Sequence, residues 1–206
     1  MKLYAAFPHP TTPKRSYIVD PKRAKMKIIT DLKYIKEMAK KREEENWEFR
    51  ALLKQIDKTP KERDATVQTI TDQVTSQIDC TRCANCCKQS RPVLDQDDIS
   101  KFALGLKVGV LEFQERYLSQ DEENKTKYIF NELPCPFLKN DQCSHYDCRP
   151  KDCRSYPHLH KKGFTSRLLG CIANYEICPI VFNVYEQLKI ELWQNNRGYA
   201  DNVDWE

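Results

Sequence analysis

Glycine is scarce in this sequence, with five residues among 206. Neither G-x-G-x-x-G nor G-x-x-x-x-G-K-[ST] occurs, which excludes the usual loops that bind the phosphates of dinucleotides and nucleoside triphosphates. H-E-x-x-H and G-x-S-x-G are also missing, so no standard metalloprotease helix or serine-hydrolase nucleophile is present. Any enzymatic chemistry must therefore use the cysteine-rich region described below.

Long apolar runs and a strong charge of one sign are also lacking. No stretch approaches the roughly 20 apolar residues of a membrane helix. The apolar run at residues 1–7 ends at Pro8, too early for the hydrophobic region of a signal peptide. The net charge of +4 is too small and too mixed to indicate nucleic-acid binding. The sequence predicts a cytoplasmic protein with reduced thiols, no membrane and no specific nucleic-acid partner.

Cysteine is absent from the first 79 residues and then abundant, with all ten cysteines between Cys80 and Cys178. Thiols so close together either bind metal as thiolates or form disulfides. An even number would allow five bridges, but adjacent Cys86 and Cys87 could pair only through a strained ring. Zinc, or iron in a sulfide cluster, prefers thiolate ligands, so metal binding is favoured.

The residues before the cysteines have a helical pattern. One helix is expected from about residue 25 to residue 56, with the charged stretch 40–45 forming a solvated face. A second helix begins with the capping box at Thr59 and Glu62 and runs towards Cys80.

Further helices and a little β-structure are expected after the first cysteines. Asp95 marks a helix start, with Gly105 or Gly109 as its end, and a short helix follows at 110–118. Tyr128–Phe130 is the best strand candidate. Residues 135–143 resemble a hairpin or a zinc-knuckle-like turn, and Pro179 opens a last helix.

These elements predict a mostly α protein with a small β hairpin, an irregular α+β fold. The expected parts are an N-terminal arm and helical extension at 1–79, a metal-organised cysteine-rich domain at 80–194, and a polar tail at 195–206.

The cysteine pattern resembles the CxxCxxCC cysteine-cluster family, also called YkgJ-like, which is considered zinc- or iron-chelating. The resemblance is carried by CxxCxxCC at 80–87, CPFL at 135–138, CSHY at 143–146, RPKDCRSYP at 149–157, Cys171 and Cys178-Pro179. It spans about half of the chain. It implies a metal centre of zinc or iron, including an iron–sulfur cluster, and a distant relationship to flagellin lysine N-methylases, which are described as iron–sulfur proteins.

Two residues depart from the family pattern. Ala84 stands where the family usually has glycine, and Cys148 stands where it usually has another residue, so Cys148 is not expected to bind metal. The expected metal ligands are Cys80, Cys83, Cys86, Cys87, Cys135, Cys143, Cys153, Cys171 and Cys178.

Nine thiols suit two four-thiolate sites with one thiol to spare, or one polynuclear cluster with a separate zinc site. Their negative charge needs compensation. The helix starting at Pro179 would bring its positive end near Cys178. Basic residues close to the cysteines in sequence could also supply compensating positive charge, namely Arg82, Lys88, Arg91, Arg149 and Arg154.

Three functions remain open on this basis. The first is a zinc or iron–sulfur protein with a redox or protein-modifying role. The second is a structural zinc module whose helical extension binds an unknown protein partner. The third is a lysine N-methylase-like enzyme, which the short chain and the missing nucleotide loop weaken.

Overall fold

Helices make up most of the computed structural model, which describes residues 26–193. None of these described helices is both long and apolar enough to pass through a membrane. The predicted arm at 1–22 and tail at 195–206 lie outside the described residues. The α-helices are α1 Leu32–Lys41, α2 Glu43–Gln55, α3 Pro60–Thr75, α4 Asn85–Gln89, α5 Gln96–Leu106, α6 Val110–Tyr117, α7 Lys151–Ser155, α8 Leu168–Tyr175 and α9 Pro179–Leu192.

The first helix begins later than the apolar pattern suggested. Asp31 is its N-cap, and one carboxylate oxygen accepts hydrogen bonds from the backbone N–H groups of Lys33 and Tyr34 at 2.8 and 3.1 Å. Residues 26–31 are not helical, although Met26, Ile28 and Ile29 pack against the core. The apolar spacing therefore indicated burial correctly and helix incorrectly, since a cap overrides periodicity at a helix end.

The prediction of one continuous helix was wrong at Arg42, where α1 and α2 meet. The prediction of a solvated face holds for most of the stretch 40–45, whose residues 40, 41, 43 and 44 are exposed. It was wrong at Arg42, which is only 9% exposed and pairs with Glu186 of α9. A partner this distant in sequence cannot be seen from the local charge pattern.

The capping predictions are confirmed, and the helix-end prediction is not. Thr59 and Glu62 form the capping box of α3, and Asp95 caps α5 in the same way. Helix α5 ends at Leu106, and Lys107 takes the left-handed conformation that often closes a helix. Gly105 lies inside α5, while Gly109 is the N-cap of α6.

Two small antiparallel sheets complete the described fold, which confirms the mostly α class with little β-structure. Their strands are β1 Val93–Leu94, β2 Leu118–Gln120, β3 Tyr128–Phe130, β4 Leu138–Lys139 and β5 Gln142–Cys143. The predicted strand β3 lies between β1 and β2. The predicted hairpin joins β4 to β5 through Asn140 and Asp141, whose φ angles of 50° and 58° indicate a type I′ turn.

The described core has two parts, and cysteines border both. In the first, residues of α1–α3 such as Ile35 and Val74 pack with α8 and α9, and Cys171 and Cys178 belong to it. The second contains the packed rings of Phe102, Phe113, Phe130 and Phe137, with Cys135 and Cys148 against it. The cysteine segments therefore border both parts of the core. The domain bounds 1–79, 80–194 and 195–206 stay a prediction.

Candidate metal centre

The CxxCxxCC segment folds as two short helical turns separated by a left-handed residue. A 3₁₀ turn at Cys80–Arg82 is capped by Asp79, whose carboxylate accepts from the Thr81 N–H at 2.9 Å. Ala84 has a φ of 54°, and α4 begins directly after it. The left-handed residue turns the chain between the first two cysteines and the next two. Glycine adopts this conformation without strain, which explains its usual presence here in the family pattern.

Two hydrogen bonds attach this segment to distant parts of the chain. The side-chain amide of Asn85 donates to the carbonyl of Ile177 at 2.7 Å, next to Cys178. The backbone N–H of Cys135 donates to the carbonyl of Cys87 at 2.8 Å. Sequence reasoning did not single out Asn85, because its partner is far away along the chain.

One set of four thiols, which we name the hairpin thiol group, consists of Cys87, Cys135, Cys143 and Cys153. The pKa of Cys135 is raised to about 11, mainly by burial and in smaller part by the nearby Cys87 and Cys143. Burial likewise raises the pKa of Cys153 to about 12, with contributions from the other three members. The pKa of Cys143 is raised by burial and by Cys87. Each member thus lies within electrostatic reach of others in the group.

A second set, which we name the helix thiol group, consists of Cys80, Cys83, Cys86 and Cys178. The pKa of Cys178 is raised to about 12, mainly by burial and in smaller part by Cys80 and Cys83. The N–H groups of Val181 and Ile180 act in the opposite direction. The start of α9 therefore faces Cys178, as the sequence predicted.

Adjacent Cys86 and Cys87 join the two groups. A hydrogen bond between their side chains and burial raise the pKa of Cys86 well above its usual range, and Cys178 of the helix thiol group and Cys153 of the hairpin thiol group both raise it further. The same hydrogen bond lowers the pKa of Cys87 to about 7, helped by the charges of Arg149 and Lys88. Cys87 is therefore the thiol that ionises most readily of this pair.

Arg149 and Lys88 supply the positive charge that the sequence predicted near the thiols. Both lower the pKa of Cys87, and Arg149 also acts on Cys143. Tyr146 fixes the position of Arg149 through two contacts. The guanidinium carbon of Arg149 lies 3.3 Å from the centroid of the Tyr146 ring, and its Nε donates to the backbone carbonyl of Tyr146 at 2.9 Å. Arg154 donates to the Arg149 carbonyl and so stabilises this arrangement.

Cys171 and Cys148 lie at the edges of the two groups. Cys171 is buried beside Cys178, and burial raises its pKa to about 12. Cys148 packs against α5, where a β-carbon on Gly105 would meet its sulfur at 2.5 Å. These positions leave Cys171 as the ninth candidate ligand and give Cys148 a packing contact.

Tyr156 is a further residue of the site. Its hydroxyl donates to Oδ1 of Asn174 at 2.8 Å. Burial raises the pKa of Tyr156 far above its usual range, and the neighbouring Cys178 and Cys86 add to this. The RPKDCRSYP motif contains this tyrosine, but the sequence alone did not indicate that its side chain reaches the helix thiol group.

The cysteine side chains of the described residues do not point at a common metal position. Within residues 26–193, no group of three or more His, Cys, Asp or Glu side chains is placed to hold one. The donor chemistry fits a thiophilic metal, because all ten thiols are free and eight fall into two neighbourhoods of four. Rotation between staggered rotamers can redirect a cysteine sulfur without moving the backbone.

These features define a cysteine-rich domain with the donors of a metal–thiolate protein. Residues 79–172 match the CxxCxxCC family, described as "Putative zinc- or iron-chelating domain". They therefore form a CxxCxxCC domain, which confirms the resemblance seen in the sequence, over a little under half of the chain. Cys178 lies beyond the matched residues. Comparison with the curated proteins and with the solved structures gave no match.

Proposed function

We propose that this protein binds zinc or iron through two thiolate sites, the hairpin thiol group and the helix thiol group. One geometric observation supports the proposal above all. The hydrogen bond from Cys135 to Cys87 and that from Asn85 to Ile177 hold the CxxCxxCC segment against the two distant segments that carry Cys135 and Cys178, where the free thiols affect one another's pKa values. Mutually destabilising thiolates are a poor arrangement for folding alone, and a bound cation removes that cost.

The role that this arrangement supports best is structural. Each group connects segments far apart in sequence, with Cys80 and Cys83 near Cys178 in one case and Cys87 near Cys153 in the other. A metal ion held by four such ligands would cross-link these segments. Because most of the free thiols have raised pKa values, metal binding would release protons and weaken in acid.

The experiment that tests this is elemental analysis of single-cysteine variants purified without oxygen. Cys135→Ser should remove the metal of the hairpin thiol group, and Cys80→Ser should remove that of the helix thiol group. Cys148→Ala is the matched control and should keep the full content. Full metal retention in both ligand variants would refute the two-site assignment.

The same preparations identify the metal. A colourless protein containing zinc alone would support the structural role. A brown protein with iron and labile sulfide would instead indicate an iron–sulfur centre and lead to redox assays.

A second candidate is a redox or protein-modifying enzyme, and one observation favours it. A pocket of about 240 Å³ reaches Cys171, with His158, Arg167 and Asn174 also in its wall. Cys171 adjoins the helix thiol group, so a small molecule in this pocket would approach that group. Leu159 also lines this pocket. A Leu159→Trp variant should block the pocket and abolish any detected turnover while retaining metal; undiminished turnover would exclude the pocket as its site.

A further inference from the structure

A second concave surface lies away from the thiol groups, between the helical extension and the CxxCxxCC domain. This cleft has a volume of about 430 Å³, within the usual range for small-molecule sites. Its wall consists of Arg50, Lys54, Thr165, Ser166, Leu168 and Leu169. Two of these side chains are cationic, two carry hydroxyl groups, and none carries a carboxylate.

The two cations are not neutralised by their described neighbours. Arg50 and Lys54 are separated by one turn of α2, so both side chains are on the same face of the helix. Within residues 26–193, neither forms an ion pair with a carboxylate. Two like charges in a concave surface repel each other and attract an anion.

One buried polar atom of the cleft also lacks a partner among the described residues. Nε of Arg50 is buried and has no hydrogen-bond partner among the described residues. A buried donor without a partner costs free energy, which a ligand can recover. The guanidinium group is positioned by the Trp47 ring, whose centroid lies 5.4 Å from the guanidinium carbon. Thr165 is half-buried and lies in the same wall, opposite α2.

We propose that this cleft binds the phosphate group of a small molecule, either inorganic phosphate or a phosphate monoester. The planar guanidinium of Arg50 suits two phosphate oxygens, and Lys54 adds a mobile point charge. Thr165 supplies a neutral hydroxyl donor. Leu168 and Leu169 border the cleft and would contact an apolar part of an ester.

The test is calorimetric titration of the full-length, metal-loaded protein at constant ionic strength. Separate titrations use inorganic phosphate, glycerol 3-phosphate and succinate, which carries carboxylates in place of phosphate. Saturable binding of at least one phosphate compound, tighter than that of succinate, is the expected result. Equal affinity for both phosphates would show that the phosphate group alone is recognised, while tighter glycerol 3-phosphate binding would show that the ester contributes.

Variants then locate the binding. Lys54→Gln and Arg50→Gln should each weaken phosphate binding by about tenfold or more, because each removes a charge-assisted hydrogen bond. The exposed Lys36→Gln on α1 is the matched control and should bind like the parent protein. Exposed Lys54 has no described structural contact, so Lys54→Gln decides the matter even if Arg50→Gln fails to fold.

The proposal would be overturned by the absence of saturable binding for either phosphate compound. Succinate binding that equals phosphate binding would overturn it too, as would unchanged affinity in Lys54→Gln. Metal content, measured on the same samples, should be unaffected by Lys54→Gln. The result is thereby independent of whether the two thiolate sites exist.

Discussion

At the scale of single residues, Ala84 shows how a small departure from a family pattern acquires a physical meaning. The sequence identified alanine in place of the usual glycine, and the structure gives this residue a φ of 54° and an exposure of 6%. A non-glycine residue in this region costs roughly 1–3 kcal/mol. The chain therefore accepts some strain at the turn between its two pairs of cysteines.

We expect Ala84→Val to lower the free energy of unfolding by about 1–3 kcal/mol, since a β-branched residue fits the left-handed region poorly and the site is buried. Ala84→Gly should stay within about 1 kcal/mol of the parent, because the relieved strain is offset by a more flexible unfolded chain. Urea unfolding of the metal-loaded protein measures both. Ala65→Val, at an exposed position of α3, is the control; an equal loss there would contradict the strain argument.

Gly105 and Cys148 form a second close contact. A β-carbon at position 105 would meet Cys148 Sγ at 2.5 Å and Cβ at 3.0 Å. Gly105→Ala should therefore destabilise the protein by about 1–2 kcal/mol in spite of the better helix propensity of alanine.

The double variant Gly105→Ala with Cys148→Ala should regain much of that loss, which thermal unfolding can measure as a coupling energy. Gly170→Ala in α8 is the matched control, because nothing lies within 4 Å of its added carbon. It should be neutral or stabilising by up to about 1 kcal/mol. Additivity between positions 105 and 148 would exclude the contact as the cause.

At the scale of secondary-structure elements, α9 holds the helical extension through buried charges. Glu186 and Lys189 are 2% and 0% exposed, and Lys189 donates to Glu186 at 2.7 Å. Arg42 and Glu45 from the α1–α2 region pair with them, and the Tyr175 hydroxyl donates to Glu186 at 2.6 Å. The charges balance in a setting where an unpaired one would be costly.

Removing one member of this network should be strongly destabilising. Lys189→Met should lower the free energy of unfolding by about 3–5 kcal/mol, since it leaves Arg42 alone to balance the carboxylates of Glu186 and Glu45 in this network. Lys33→Met, at an exposed position of α1, should change it by less than about 0.5 kcal/mol. Chemical denaturation followed by circular dichroism gives both values. A small effect of Lys189→Met would indicate that the charges are accessible to water.

Asp64 connects α3 to the loop before α8. Its two carboxylate oxygens accept from the N–H groups of Gly163 and Phe164 at 2.7 and 2.9 Å. Burial alone would raise the pKa of Asp64, but these hydrogen bonds outweigh it and the pKa is lowered.

A lowered pKa means that the ionised carboxylate stabilises the fold above pH 4, and that this contribution is lost as the pH falls through the folded-state pKa. Asp64→Asn should therefore be less stable by about 1 kcal/mol, equally at pH 7 and pH 5. Urea unfolding at the two pH values checks this, with exposed Asp72→Asn as the control on the same helix. A loss that already declined between pH 7 and pH 5 would contradict the lowered pKa.

Elements determined by residues close together in sequence could be predicted, and those determined by distant partners could not. The capping box at Thr59 and the strand at Tyr128–Phe130 follow from neighbouring residues, and both are confirmed. The break at Arg42 depends on Glu186, which is 144 positions away. The C-cap of helix α5 is Lys107, which is left-handed although lysine seldom adopts this conformation. The expectation that a glycine would end this helix was therefore wrong.

At the scale of the whole molecule, the proposed metal assignment connects metal binding to the helical extension through α9. This helix begins beside Cys178 and packs against α1, α3 and α8. Structural zinc contributes roughly 10–16 kcal/mol of apparent binding free energy in small domains. Loss of metal should therefore disturb more than the cysteine segments.

We expect strong chelation to reduce the helical circular dichroism signal and to expose α1–α3 to proteolysis, and readdition of metal to reverse both. Cys148→Ala should respond like the parent protein, since Cys148 is not assigned to a metal. Unchanged dichroism after verified metal removal would show that the fold does not depend on the metal. That result would leave the ligand assignment to the elemental analysis of the cysteine variants.

The sequence allowed a prediction of which residues belong to the candidate site but not of how they are arranged in space. The cysteine spacing and the family resemblance led to nine expected ligands, which stay a prediction, and closeness in sequence pointed to the basic residues Arg149 and Lys88. The sequence left open how nine thiols divide into sites, because the division depends on which loops the fold brings next to Cys86 and Cys87. Asn85 and Tyr156 were missed for the same reason, since their partners are distant in sequence.

The adjacency of Cys86 and Cys87 has a consequence for the order in which metal ions are taken up. On the proposed assignment, each group receives one ligand from this dipeptide, so an ion bound in either group fixes the backbone that carries a ligand of the other. Binding of the first ion would order this segment and account for most of the loss of conformational entropy, so the second ion would bind more tightly to a partly ordered site. Metal loading would then be cooperative, with few molecules holding a single ion.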